Sequence, residues 1–327
     1  MAKKKVLSGI QPTGKLHLGN LIGALENWVA MQDKYECYFF IADLHALTTM
    51  YDDTKDFRKN SIEVAADMIA SGLDPDRCTI FLQSDIPEHS ELHLLFSMIT
   101  PLPWLERVPT YKSKISELKE KDLGTYGFLG YPVLQAADIL IYKADLVPVG
   151  QDQLPHLEFT REIARRFNFL YKEVFPIPQE VMTDVPVLPG IDGRKMSKSY
   201  GNTIAISDPE DVIIKKVNEM VTDPARLKKN DKGHPDVCVV YAYHKIFNKG
   251  AVDEISKKCR EGSIGCVECK KNLSDILIEY LAPVRRRRAE LDKDPKKIME
   301  ILKTGTERAK KKASETLREA KQAMGLI

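Results

Sequence analysis

Two short segments carry residue types that could act on a polyphosphate. The first is Gly9-Ile10-Gln11-Pro12-Thr13-Gly14-Lys15-Leu16-His17-Leu18-Gly19-Asn20, after the strand-like Val6-Leu7-Ser8. Its first half nearly matches a phosphate-cradling loop. Leu16, however, stands where such a loop needs a Ser or Thr hydroxyl for Mg2+. Its second half is better placed. His17 and Asn20 offer donors at a helix start, where unpaired backbone N–H groups and the positive helix end favour an anion. Gly19 lets a flat ring lie against the backbone. The second segment is Gly193-Arg194-Lys195-Met196-Ser197-Lys198-Ser199. Gly190 and Gly193 leave this loop free to move, and Lys195 and Lys198 can aim two point charges at one triphosphate. A moving loop applies such cations chiefly in the transition state, as charge builds on the α-phosphorus and the departing pyrophosphate. Taken singly, the segments read equally as a capped helix start and an exposed basic loop. Taken together they point to ATP chemistry.

Elements at both loops must hold these residues in place. Apolar runs predict strands over residues 6–8, 38–42, 79–82 and 145–150. Apolar residues at 3–4 spacing predict helices over 18–31, 57–71, 91–99 and 154–167. This βαβ alternation predicts an α/β fold: a Rossmann-like, doubly wound parallel sheet with ligands at the carboxyl ends of its strands. The lysine loop follows a last strand-like stretch at 185–188. Residues 100–130 break the rhythm with Pro101, Pro103, Pro109 and a Lys/Glu-rich run, and read as a connecting insertion. Beyond residue 200 the strand signals fade. Helices are predicted at 211–220, 239–247, 273–282, 284–291, 295–302 and 306–324. The expected organisation is a catalytic domain over 1–200 and an all-helical C-terminal domain over 201–327.

The chain has 327 residues, 43% of them hydrophobic, enough for a large core. No apolar run reaches the roughly 18–20 residues of a membrane helix. The basic N-terminus leads into too short an apolar run for a signal peptide, so a cytoplasmic protein is expected. Net charge is only +2, but residues 270–327 hold 16 Lys and Arg against 9 Asp and Glu. That local excess points to a polyanionic partner. Arg285, Arg286, Arg287 and Arg288, with Lys310 to Lys312, are candidate phosphate contacts. Cys37 and Cys78 lie in apolar runs and read as buried thiols. Cys238, Cys259, Cys266 and Cys269 are spaced C-x20-C-x6-C-x2-C. A disulfide is disfavoured in the cytosol, and four converging thiolates suit Zn2+ or a [4Fe–4S] cluster. Zinc usually takes two C-x2-C pairs. Only one exists here, so the spacing favours iron–sulfur over zinc, with no metal as the third reading.

His17-Leu18-Gly19-Asn20 with Lys195-Met196-Ser197-Lys198-Ser199 resembles the HIGH and KMSKS signatures of class I aminoacyl-tRNA synthetases. Gln11-Pro12-Thr13-Gly14 ahead of H-x-G-N looks like the tryptophanyl-tRNA synthetase form. The resemblance runs on through Ile41 to Thr48, Tyr131 to Asp138, Val147 to Gln153 and Ala323-Met324-Gly325, and so covers essentially the whole chain. The tyrosyl family is the alternative, since Tyr131, Gln135 and Asp138 would suit it too. Asn20, Gln11 and the Val147–Gln153 segment favour tryptophan. The resemblance implies a tryptophan–tRNA ligase, a homodimer acting on L-tryptophan, ATP with Mg2+, and tRNA(Trp). It implies that Gln11, Pro12, Thr13, Gly19 and Asn20 seat ATP, that Gly150, Gln151 and Asp152 meet its ribose, and that Val187 packs its adenine. Gln151 departs from the Glu common in the family. His17, Lys195 and Lys198 would stabilise phosphates, with Met196, Ser197 and Ser199 completing the loop and Lys112 or Lys114 assisting. Asp138 would accept the indole N–H, with Tyr131 and Gln135 on the same helical face. Leu7, Val147 and Val149 would form apolar walls, and Gln153 would touch the amino acid's polar end. The four cysteines resemble those of a cluster-bearing variant, near the anticodon-reading end.

Overall fold

The computed structural model describes residues 3–108, 124–182, 188–228 and 230–327. Among them are five strands: β1 (Lys5–Ile10), β2 (Glu36–Ile41), β3 (Cys78–Leu82), β4 (Leu146–Val149) and β5 (Gln179–Met182). They form one parallel sheet in the order β3-β2-β1-β4-β5. This is the predicted doubly wound arrangement. The chain steps outward from β1 to β3, then returns to the other side of β1 with β4. The switch point therefore lies between β1 and β4, where diverging connections leave a crevice at the strand ends.

Alternate strand residues enter two separate cores, as a period of two requires. Val6, Cys37, Phe39, Ile41 and Ile80 face one side. They pack under α1 (residues 18–31) and α2 (Phe57–Ala70). Leu7, Tyr38, Phe40 and Phe81 face the other. That side is covered by α3 (Glu88–Ser97), α4 (Tyr126–Ile141) and α5 (Leu154–Leu170). α1 begins as Leu18–Asn20, passes through a π-helical turn at Leu21–Leu25 and ends as Glu26–Met31. Such π turns recur beside functional sites.

After residue 200 the described residues are helical. The two longest helices are α6 (Cys266–Lys293) and α7 (Pro295–Ala323). Leu273, Leu277 and Leu281 of α6 join the first core, while Ala309, Ala313 and Leu317 of α7 join the second. α7 lies along the edge strand β3, so closely that a Cβ on Gly305 would sit 1.8 Å from the Ile80 carbonyl oxygen. An uncovered edge strand invites pairing with other chains, and α7 closes this one. Each of these helices was expected as two, broken at Pro283 and near Gly305. Both run on unbroken, because burial of one face offsets the local breaker. No helix among the described residues is long and apolar enough to cross a membrane.

Candidate active site

The turn after β1 is built around His17. Its side chain caps α1: Nδ1 accepts from the Asn20 N–H at 3.3 Å, while the His17 N–H donates to Asn20 Oδ1 at 3.0 Å. This reciprocal box satisfies two backbone donors and fixes the imidazole. With Nδ1 occupied as an acceptor, the ring proton must sit on Nε2. Burial, and then the Lys198 charge, lower the His17 pKa to about 4. His17 is therefore a neutral N–H donor at pH 7, suited to a phosphate oxygen. Asn20 has committed its carbonyl oxygen to the turn, so its amide nitrogen is the end available to a ligand. Gly19 is needed for close approach: a Cβ there would sit 3.1 Å from the His17 ring and 3.4 Å from Met196 Sδ.

The lysine loop is stitched to this turn. Leu18 N–H donates to the Ile204 carbonyl at 3.0 Å, and Ile206 N–H to the Leu16 carbonyl at 2.9 Å. These bonds flank His17 on both sides. Lys198 Nζ reaches the Gly14 carbonyl at 2.7 Å and Thr13 Oγ1 at 3.3 Å. Burial lowers its pKa to about 8. Lys195 is exposed. Asn202, which no sequence motif marks, anchors the loop from inside. Its Oδ1 accepts from the Ser197 N–H at 2.8 Å, and its Nδ2 donates to Asp192 and to the Lys195 carbonyl.

Below the turn lies a cavity of about 410 Å3, at the β1–β4 switch point. Gln11, Asn20 and Gly150 line it, together with Leu7, Tyr131, Gln135, Asp138, Val147, Val149 and Gln153. Asp138 is buried, with 1% of its surface exposed. Its Oδ2 faces His45 Nε2 at 2.7 Å and its Oδ1 faces His89 Nδ1 at 2.6 Å. Gln83 Nε2 donates to both oxygens at 2.8 Å. Burial alone would raise this carboxyl. The neighbouring His45, and hydrogen bonds from His45 and His89, outweigh burial and hold the pKa at about 2. Asp138 is thus a fixed carboxylate in the lining of the cavity, an acceptor of N–H donors.

The family described as tRNA synthetases class I (W and Y) matches residues 2–282. The chain belongs to this family. The synthetase is 50% identical over 326 residues to a Tryptophan--tRNA ligase of Thermotoga maritima, with 99% of each chain covered. It is 44% identical to the enzyme of that name from Aquifex aeolicus, over 98% of this chain and 100% of that one. Among solved structures it resembles the tryptophanyl-tRNA synthetase of Campylobacter jejuni complexed with ADP and tryptophan. The TM-score is 0.88 and identity 35%, over 98% of this chain and 99% of that chain.

Other expected residues of the synthetase fall at the margins of this site. Pro12 is buried, and Met196 packs beside Gly19. Gln151 and Asp152 are exposed beyond β4, with Gln153 Nε2 donating to Asp152 at 2.9 Å. Val187, the strand-like stretch before Leu188, Lys112, Lys114 and the Ser199 side chain lie outside the described residues, as do residues 109–123 of the 100–130 insertion. The supports of Asp138 were missed by sequence reasoning. His45 belongs to the Ile41–Thr48 resemblance, so a signal existed, whereas Gln83 and His89 carried none.

The arginine run is largely engaged within the fold. Arg288 is buried, pairing with Asp67 at 2.5 Å, Glu63 at 2.6 Å and Asp292 at 2.8 Å. It faces the protein, contrary to the expectation of a phosphate contact. Asp67 in turn accepts the Leu16 N–H at 2.9 Å, tying α6 to the turn of His17. Arg285 pairs with Glu210, and Arg287 donates to the Ala70 carbonyl. Arg286 and Arg287 are exposed.

Cys238, Cys259, Cys266 and Cys269 line one small cavity, walled by Val240, Ile255 and Ile264. Arg226 Nη1 lies 3.9 Å from Cys259 Sγ. Burial, followed by the three neighbouring thiols, raises the Cys269 pKa to about 12. Among the described residues, no three His, Cys, Asp or Glu side chains form a set that could hold a metal ion.

Proposed function

We propose that this chain is a tryptophan–tRNA ligase, working as a homodimer. The observation that carries the reading is an ionised Asp138 in the lining of the cavity, beneath two phosphate-facing loops. Indole nitrogen is a donor only, and a fixed carboxylate is its natural acceptor. Leu7, Val147 and Val149 would pack the ring, and Tyr131, Gln135 and Gln153 would hold its polar end. An amino acid without the donor forgoes this charge-assisted hydrogen bond and is selected against. The sibling tyrosine enzyme rejects phenylalanine on the same principle, by about 10⁵-fold.

ATP, entering with Mg2+, sits across Gln11, Pro12, Thr13, Gly19 and Asn20, its ribose near Gly150, Gln151 and Asp152. The tryptophan carboxylate attacks the α-phosphorus and pyrophosphate leaves. No protein nucleophile is required, so catalysis is positioning plus charge stabilisation. Neutral His17 donates from Nε2, and Lys195 and Lys198 neutralise the leaving group, within a loop completed by Met196, Ser197 and Ser199. The tRNA 3′ hydroxyl then takes the acyl group. The helical region over 201–327 would meet the tRNA, with Arg286 and Arg287 as the exposed members of the arginine run.

ATP–pyrophosphate exchange measured with each amino acid tests this reading. Tryptophan alone should support rapid exchange. Exchange with tyrosine instead would transfer the chain to the tyrosine branch.

The four cysteines would hold a [4Fe–4S] cluster. Their convergence on one cavity with apolar walls and an adjacent guanidinium supports this. Tetrahedral Zn2+ on the same four thiolates is the alternative. Its part would be structural, near the tRNA-facing end. Anaerobic purification should yield about four iron and four sulfide per chain, and Cys266→Ser should lose both. Stoichiometric zinc would overturn it.

A further inference from the structure

Behind Asp138 lie two residues that do not line the cavity. His89 is in the first turn of α3, and Tyr142 follows α4 directly. Both are wholly buried, and Tyr142 is stacked on Tyr38 at 4.8 Å. An ionised carboxylate can only accept. The His89 nitrogen 2.6 Å from Asp138 Oδ1 is Nδ1, so Nδ1 must carry a proton. The other ring nitrogen, Nε2, lies 2.7 Å from the Tyr142 hydroxyl, which has one O–H to donate.

We propose that Tyr142 is a positioning residue for amino-acid selection. Its hydroxyl donates to His89 Nε2, anchors the imidazole ring from behind, and so holds the Asp138 carboxylate turned toward the indole N–H. The inference rests on the reading of Asp138 as the indole acceptor. Without the hydroxyl, His89 Nε2 is a buried acceptor with no donor and the ring is held only through Nδ1. The ring can then tilt, and the carboxylate bonded to it turns with it. His45 and Gln83 would still grip it, but in a different plane. Burial keeps the Tyr142 phenol protonated, since its pKa lies well above the usual value. The hydroxyl therefore remains a donor throughout the working pH range.

The test is Tyr142→Phe in the full-length protein, compared by exchange with tryptophan and with the isostere carrying sulfur in place of the indole N–H. Tryptophan kcat/KM should fall about tenfold, chiefly through KM. ATP KM and the isostere's kcat/KM should not move, so the preference between the two amino acids shrinks by that same factor. A purely structural role would reduce both equally and leave the preference intact, which would overturn the proposal. Asp138→Asn separates the layers. If preference survives that change, the indole reading fails and takes the inference with it. If preference collapses there but persists in Tyr142→Phe, only the Tyr142 relay falls. Should Tyr142→Phe not fold, ¹⁵N spectra of the unaltered protein decide. His89 should show a protonated Nδ1 and a bare Nε2, and a protonated Nε2 would overturn the donation from Tyr142.

Discussion

At the scale of single residues, the two loops set a neutral donor beside a titrating cation, the pair proposed above to meet the phosphates. His17, with a pKa lowered to about 4, stays uncharged and offers one directional N–H. Lys198 supplies charge, but its pKa is lowered to about 8 by burial. The sign follows from that direction. Lys198 is protonated below about pH 8 and loses its charge as pH rises through that value. Raising pH from about 7 to about 9 should therefore weaken kcat/KM for ATP, while Lys198→Arg, whose guanidinium stays charged, should flatten the profile. Steady-state exchange at several pH values checks this, and a flat profile in the unaltered enzyme would remove Lys198 from phosphate neutralisation. Arg288 shows the opposite use of charge. It is consumed by Glu63, Asp67 and Asp292 inside the fold. Arg288→Met should strand the buried Asp67 carboxylate and cost about 3–5 kcal/mol of stability. Adding Asp67→Asn should restore part of that loss. Thermal unfolding reads both, and a loss below about 1 kcal/mol would contradict the buried-strut role.

At the scale of elements, the closest contact is a helix against a strand backbone. Gly305 sits mid-way along α7 where an isolated helix would prefer almost any other residue. A Cβ at this position would meet Ile80 oxygen at 1.8 Å and Ile80 carbon at 2.7 Å, and neither backbone atom can rotate away. Gly305→Ala should therefore push α7 off β3. The helix-propensity gain of roughly 1 kcal/mol should be outweighed by overpacking of about 1–3 kcal/mol or more. A denaturant melt should show a lower midpoint, and a higher one would mean that α7 slides freely. Pro283 within α6 makes the same point in reverse. It breaks the local signal, yet Leu277, Leu281, Val284 and Leu291 bury one continuous stripe around it.

At the scale of the whole molecule, β1 and β4 place the site, and the remote helices lock it. The topological switch opens a crevice, α1 brings His17 and Asn20 to one rim, and α4 brings Tyr131, Gln135 and Asp138 to its floor. α6 then links distant regions. Its N-terminal turn holds Cys266 and Cys269, and its far end holds Arg288, which grips Asp67 and through it Leu16. At 1.5 Å per residue, its 28 residues span about 42 Å. The cysteine cavity and the turn of His17 are thus linked through one long helix.

The sequence by itself determined the βαβ order, because each buried strand must be a short apolar run and each covering helix must repeat at 3–4 spacing. It also carried both phosphate loops and the Tyr131-Gln135-Asp138 face, since their chemistry depends on residue type at fixed local spacing. Tertiary structure alone decided what meets across the chain. Asp138 gains its fixed charge from His45, Gln83 and His89, residues from other elements. Arg288 and Asn202 look like surface residues until packing encloses them. Helices α6 and α7 pass through Pro283 and Gly305 because long-range burial outweighs the preference of a few adjacent residues, and that balance exists only once the sheet is in place.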